Sequence, residues 1–497
     1  MSTGASAARG IAVELRLRPL AQPLARRLRI AALVSAVSAL VLVPCFWLPR
    51  IHAGDLSSHL YNAWLAQLVR EGKVEGLAVT WQWTNILFDL LLRALMSVGG
   101  PRLAERVAVA AAVLVFFWGA FALASAMSRR HPWFMVPCLA GLAYGWTFRM
   151  GFFNFYLSLG LCLWALALVW RRGLRNPWAY VLLALAAFAH AMPAVWAAGV
   201  AVYIAAAGRF RPRRRWIPLA CVLAGLGAVR LFMELAFETQ WRFQQVASAT
   251  GVDQFWVYGR KYVPIFVAVL TLWGLLFLRL AESRGKTRTI LGLQFQVLLL
   301  TAAGILVIPA WVLLPGHSIA FQFIDERTSV TAGVLACSFL ASTTPSRLER
   351  AGMAAAVTAF FALLCSDAAR WDRLEREMTM AVRSLPPGQR VVSQLCLAGS
   401  RVDPLRHMLD RACLGWCFSY GNYEPSSGQF SLRTLGPNRV VADERSVVWG
   451  LETGQHVVAA RELPLYQVEW GDRGGRLKVR SLQPGERAGA SCRTEVD

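Results

Sequence analysis

RRLRIAALVSAVSALVLVPCFWL, residues 26–48, decides how the rest of the chain is read. Arg26, Arg27 and Arg29 stand before an apolar run, Ile30 to Leu48, that contains no charged side chain. A helix needs about 20 such residues to cross the roughly 30 Å hydrocarbon layer of a bilayer. No small-residue cleavage site follows, so the run reads as a retained first span and not as an export signal. Further apolar runs follow it: Leu103 to Met127, Pro132 to Trp146, Phe155 to Trp170, Trp178 to Ala191, Pro193 to Ala207, Trp216 to Phe232, Tyr262 to Leu280, Ile290 to Leu314, Ser329 to Leu340 and Met353 to Cys365. The pattern predicts about eleven spans. Composition agrees: of 497 residues 56% are hydrophobic, 16% are charged and 20 are Trp, a balance that a single water-soluble core of this length does not need.

The net charge of +23 raises the question of nucleic acid, and its distribution answers it. Residues 367–497 hold 18 Lys and Arg against 16 Asp and Glu, so nearly all the excess lies with the spans and their flanks. No basic stripe marks a soluble face, and nucleic acid is not expected as a partner. The anionic membrane lipid surface is. Arg129-Arg130, Arg171-Arg172, Arg209 to Arg215, Arg279 to Arg288 and Arg347 to Arg350 occupy every second gap after the first span. Positive charge is kept cytoplasmic, so the N-terminus is expected inside and the C-terminal segment outside. This divides the chain into a basic leader (1–29), a multi-span region (30–366) with a first outer loop (49–102), and an extracytoplasmic segment (367–497). Its Arg- and Ala-rich usage points to a bacterial inner membrane.

The C-terminal segment carries Gly and Pro at short intervals and β-favouring runs at Arg390-Val391-Val392 and Val440-Val441, which predicts a small mixed or β-rich domain. It holds Cys396, Cys413, Cys417 and Cys492. In an oxidising compartment these permit two disulfides in any of three pairings; free buried thiols are the alternative.

The first outer loop is the most informative. In Asp55-Leu56-Ser57-Ser58-His59-Leu60-Tyr61-Asn62, helical spacing puts Asp55, His59 and Asn62 on one face, and Gly72 ends the helix. A second helix is expected to open at the Thr84-Asn85 cap and run to Met96. A carboxylate and an imidazole one turn apart suit proton transfer. Asp55 also fits an N-cap, with its side chain on the Ser58 amide, and Asp89 fits an ion pair with Arg93. Other ionisable or polar residues gather in the gaps of the same parity: Arg149 and Asn154, His190 before Pro193, and Asp325, Glu326 and Arg327 after His317. Such groups at a membrane are costly unless paired or used. Asp and His for proton transfer, with Arg and His for phosphate oxygens, make a kit for displacing a phosphate leaving group. The chain has no phosphate-binding Gly-rich loop, zinc-protease His-Glu-x-x-His, Gly-x-Ser-x-Gly elbow or dinucleotide fingerprint.

This layout resembles the GT-C superfamily of membrane glycosyltransferases, on the strength of Gly54-Asp55-Leu56-Ser57-Ser58-His59 in a first outer loop of two amphipathic helices, about eleven spans, and a soluble segment after the last one. The resemblance implies transfer of a sugar from a polyprenyl-phosphate carrier to an acceptor at the outer membrane face, with inversion at the anomeric carbon. It implies that Asp55 is the acidic residue that acts as base on the acceptor or positions it. His59, Asn62, Arg149, Asn154, His190, Asp325, Glu326 and Arg327 are expected to bind substrate, with Arg149, His190 or Arg327 on the carrier phosphate. Members often carry two adjacent acidic residues there; here Leu56 follows Asp55, and a divalent metal stays an open expectation. Two other classes fit a polytopic chain. A transporter or flippase would place polar groups along the middle of the spans, commonly in repeated halves, and a non-catalytic scaffold or sensor would depend on the C-terminal segment.

Overall fold

The computed structural model describes residues 27–317, 319–471 and 476–489, and the backbone alone for 491–493. Most of the basic leader and the Cys492 side chain lie outside these. The structure is that of a helical membrane protein. Among the described residues, seven helices are long and apolar enough to cross a membrane: Arg27–Phe46, Leu87–Ser128, Phe153–Arg175, Ala191–Gly208, Pro212–Ala236, Arg260–Arg284 and Arg347–Arg383. The other four apolar runs form shorter helices, Val136–Ala143, Pro177–Ala189, Leu293–Val307 and Ile324–Leu340. The last is buried from Ser329 to Leu340, so its apolar face meets protein and needs no lipid-matched length.

The helices Leu87–Ser128 and Phe153–Arg172 form the centre of the packing. A Cβ on Gly119 would lie 2.7 Å from the Gly160 carbonyl oxygen, so the two backbones approach through glycine as membrane helices commonly do. Phe116 and Tyr156 stack beside that contact at 4.5 Å between ring centroids. In water such side chains would drive the packing by burial; between lipid-facing helices, van der Waals fit has that role.

The gaps sort to two ends of this bundle. On one, Arg130 donates to the Ala341 and Thr343 carbonyls, Arg279 pairs with Glu349, and Arg284 donates to Gln294. These are the gaps with the basic clusters. On the other, Gly54 and Asp55 donate to the Arg149 and Met150 carbonyls, Thr84 donates to Ala187, and Arg401 donates to Asp253 and Trp256. These are the polar gaps.

Several elements differ from expectation. The second helix of the first loop starts at Leu87, not at a Thr84-Asn85 cap: Asn85 has φ +59°, and Thr84 spends its hydroxyl on Ala187. That helix continues into the next span through a kink at Gly99-Gly100-Pro101, where glycine conformations and proline break the ladder. Helix Arg347–Arg383 runs unbroken through residue 367, so the boundary drawn there from composition falls inside one helix. Its 37 residues extend about 55 Å at 1.5 Å each, well past the roughly 30 Å layer. The overhang carries Asp372 and Glu375 to the polar end.

Beyond Leu385 lie short strands and helices. One sheet has the order Leu477–Ser481, Leu465–Trp470, Arg390–Ser393, Phe418–Ser419, the first pair antiparallel and the others parallel. Val440-Val441 is not a strand, because both amides donate to the Asn438 side chain, which holds a turn. Cys413 and Cys417 are joined in a disulfide. The strand Leu77–Val79 of the first loop pairs antiparallel with Leu432–Thr434, so loop and C-terminal segment form one structure.

Candidate functional site

The site lies where helix Leu56–Arg70 meets the C-terminal segment. The turn before the helix is clamped by the Gly54 and Asp55 amides on the Arg149 and Met150 carbonyls, at 2.7 and 2.9 Å. Gly151 permits the approach: it has φ +85°, and a Cβ there would lie 2.4 Å from the Asp55 nitrogen. Asp55 occupies the N-cap position, yet its carboxylate makes no capping bond. It faces His407, whose Nε2 is 3.5 Å from Asp55 Oδ1. His407 Nδ1 bonds Asp410 Oδ2 at 3.0 Å, and Ser419 Oγ donates to Asp410 Oδ1 at 2.6 Å. A line of groups thus runs from the Asp55 carboxylate inward. Burial opposes charge on His407, but the Asp410 bond and the Asp410 and Asp55 charges outweigh it and raise its pKa. The Asp55 side chain is 25% exposed against 8% for His407, so the carboxylate is the accessible end.

His59 and Asn62 share the face of Asp55 but take other partners. His59 Nδ1 lies 2.6 Å from Asp89 Oδ1, and Asn154 Nδ2 donates to Asp89 Oδ2 at 2.7 Å. Asn154 in turn accepts from the Phe88 amide, which fixes the start of the second loop helix. Asp89 therefore pairs with His59; Arg93 donates instead to Ser431. Burial pulls the His59 pKa down, but Asp89 beside it prevails and holds it at about 9. Asn62 accepts from Asn422 at 2.6 Å and donates to Ser58, whose hydroxyl donates to Glu424 at 3.3 Å. Burial pushes the Glu424 carboxyl up to about 7, against the pull of His59.

Two further residues converge from the helical bundle. The Arg327 guanidinium sits 4.0 Å over the Phe152 ring, and its buried Nε has no hydrogen-bond partner among the described residues. The Asp55 carboxylate and the Tyr423 phenol act on it electrostatically. His190 is close enough to feel the Arg327 charge: burial first, then Arg327, push its pKa down to about 3, so the ring is neutral. Its Nδ1 accepts from the Met192 amide at 3.2 Å, which leaves the proton on Nε2.

The remaining residues read from the sequence lie elsewhere. Arg149 is buried beneath the Asp55 turn and donates to the His52 carbonyl at 2.9 Å. Asp325 and Glu326 take other partners, Ser248 donating to Asp325 at 3.2 Å and Arg242 lying 3.8 Å from Glu326, although the Glu326 charge also acts on Arg327. Among the described residues no group of three or more His, Cys, Asp or Glu is arranged to hold a metal ion. His407, Asp410, Arg406 and Glu424 carried no signal in the sequence, because the C-terminal segment that holds them shows only strand-like runs and cysteines.

The C-terminal segment is held against the bundle by Arg411. It binds both Glu375 oxygens at 2.7 and 2.6 Å, Glu105 at 2.6 Å and the Ile51 carbonyl at 2.9 Å, and Arg50 adds a second cation against Glu375 at 3.3 Å. Because Arg411 lies four residues after His407, this cluster sets where His407 meets Asp55. No family model, curated protein or solved structure matches the chain.

Proposed function

We propose that the protein is a membrane glycosyltransferase that moves a sugar from a polyprenyl-phosphate carrier to an acceptor on the extracytoplasmic face. The observation that carries this reading is the Asp55 carboxylate: free of capping duty, partly open, braced by His407 and Asp410, and within electrostatic reach of Arg327, which makes no ion pair among the described residues. In the reaction an acceptor hydroxyl gives its proton to Asp55 as its oxygen forms a bond to the anomeric carbon. The bond from that carbon to the carrier phosphate breaks, and the phosphate keeps the electron pair. Arg327 holds the charge that develops on the leaving group, and neutral His190 donates a hydrogen bond from Nε2. Attack opposite the departing phosphate inverts the anomeric centre.

The reading places eleven spans in a bacterial inner membrane, with the N-terminus cytoplasmic and the C-terminal segment outside. It is supported by the meeting of the basic gaps at one end of the bundle and of the polar gaps at the other. Mass spectrometry of lipids that copurify in mild detergent tests it, on native protein, Asp55→Asn and Arg327→Gln. Polyprenyl phosphate or its sugar-linked form is expected on the first two and depleted on Arg327→Gln. Ordinary phospholipids alone on all three contradict the reading.

A further inference from the structure

A cleft of about 240 Å³ opens in the C-terminal segment beside Asp55. Asp403, Arg406, His407, Asp410, Tyr423 and Glu452 line it with small and apolar residues. His407 joins it to the catalytic carboxylate at 3.5 Å, and Arg406 and Tyr423 both feel the Asp55 charge.

The chemistry of the lining defines an occupant. Three of these six side chains are carboxyl groups, against one guanidinium and one imidazole. His407 and Asp410 satisfy each other, and Glu452 takes Arg406 on one oxygen at 3.1 Å and Arg445 on the other at 3.2 Å. Asp403 has no cation of its own within ion-pair distance among the described residues; it accepts from the Leu405 amide at 2.9 Å, and burial raises its pKa. With Arg406, Arg445 and the His407 imidazole set against three carboxyl groups, the lining offers an anion no surplus of positive charge. An apolar one would leave the lining unsatisfied. A polyhydroxyl ligand both donates to the carboxylates and accepts from Arg406, and the Tyr423 ring, tilted against His407 at 5.6 Å, offers a flat surface.

Resting on the transferase reading, we propose that this cleft is the acceptor subsite, and that the acceptor is a neutral glycan whose terminal sugar ring it holds with one hydroxyl toward Asp55. Donor and acceptor then sit on opposite sides of Asp55, the phosphate toward Arg327 and the neutral sugar toward Asp403 and Glu452. The separation by charge keeps each substrate out of the other's place.

The test uses full-length protein in nanodiscs, with no donor present, on an array of neutral, uronic-acid and amino-sugar oligosaccharides, followed by titration with the strongest neutral oligosaccharide. Binding to neutral glycans is expected, weakened roughly tenfold or more by Asp403→Asn and by Glu452→Gln, the size of one lost charge-assisted hydrogen bond. Glu452 is at the rim, so its variant tests the cleft even where Asp403→Asn disturbs folding. The proposal is overturned by no glycan binding, by uronic acids bound as well as neutral glycans, by binding confined to amino sugars, or by binding indifferent to both cleft variants. None of these outcomes touches carrier-lipid capture at Arg327, so failure of the cleft and failure of the transferase reading are distinguishable.

Discussion

Replacing Arg411 by Met keeps an unbranched apolar stem, shorter by two atoms, and removes the charge, and the structure sets the size of the effect. Four hydrogen bonds disappear, three of them to carboxylates and one to the Ile51 carbonyl. Glu375 and Glu105, with side chains 1% and 5% exposed, are left inside the protein. Breaking a buried pair by removing one partner costs about 3–5 kcal/mol, because a buried charge loses its compensation. Arg50 remains 3.3 Å from Glu375, so the lower part of that range applies, about 3 kcal/mol. Transfer should fall as well, since His407 stands on the same short stretch of chain. Thermal unfolding of the detergent-purified protein, followed by Trp fluorescence, should show a drop of several degrees. Glu375→Gln combined with Arg411→Met should recover part of it, because the double variant no longer buries that carboxylate unpaired. A single variant as stable as the native protein would refute the reasoning that this cluster fixes the C-terminal segment on the bundle.

Gly151→Ala puts a methyl group 2.4 Å from the Asp55 nitrogen, at a φ that side chains rarely adopt. The shift it forces should lower the transfer rate on the order of 10²-fold with KM nearly unchanged; a native rate would show that the Asp55 turn tolerates displacement. The His59 and Asp89 pair makes stability depend on pH. His59 is raised from 6.5 to about 9 in the folded protein, so its contribution is complete below pH 6.5 and is lost as pH rises through about 9. The gap in melting temperature between native protein and His59→Gln should therefore narrow between pH 6.5 and pH 10, and a constant gap would contradict the pairing.

How much of this was legible in the sequence follows from the range of the forces involved. Long apolar runs are visible because a bilayer demands about 20 residues of helix per crossing, and among the described residues seven of them fall in helices of that length. The first loop helix was legible for the same local reason: Gly72 ends it, and Asp55, His59 and Asn62 share its face. Tertiary partners were not. Nothing in the spacing around Asp55 announces His407, and Asp89 had an apparent partner in Arg93 one turn away, while the fold supplied His59 and Asn154. Val440-Val441 has the composition of a strand, but the Asn438 side chain captures both amides. The course of helix Arg347–Arg383 past residue 367 was hidden because composition changes there while the backbone does not.

The central claim is that the Asp55 carboxylate takes a proton from an acceptor during sugar transfer, and release of the carrier tests it without knowledge of the acceptor. Membrane vesicles containing native protein or Asp55→Asn are supplied with a panel of labelled polyprenyl-phosphate sugars, and free polyprenyl phosphate is measured over time. The native protein should release it from at least one donor. Asp55→Asn, compared at equal abundance in the membrane, should release it on the order of 10²-fold more slowly or worse. Equal release by the two proteins would contradict the role assigned to Asp55, and no release from any donor by the native protein would contradict the reaction itself.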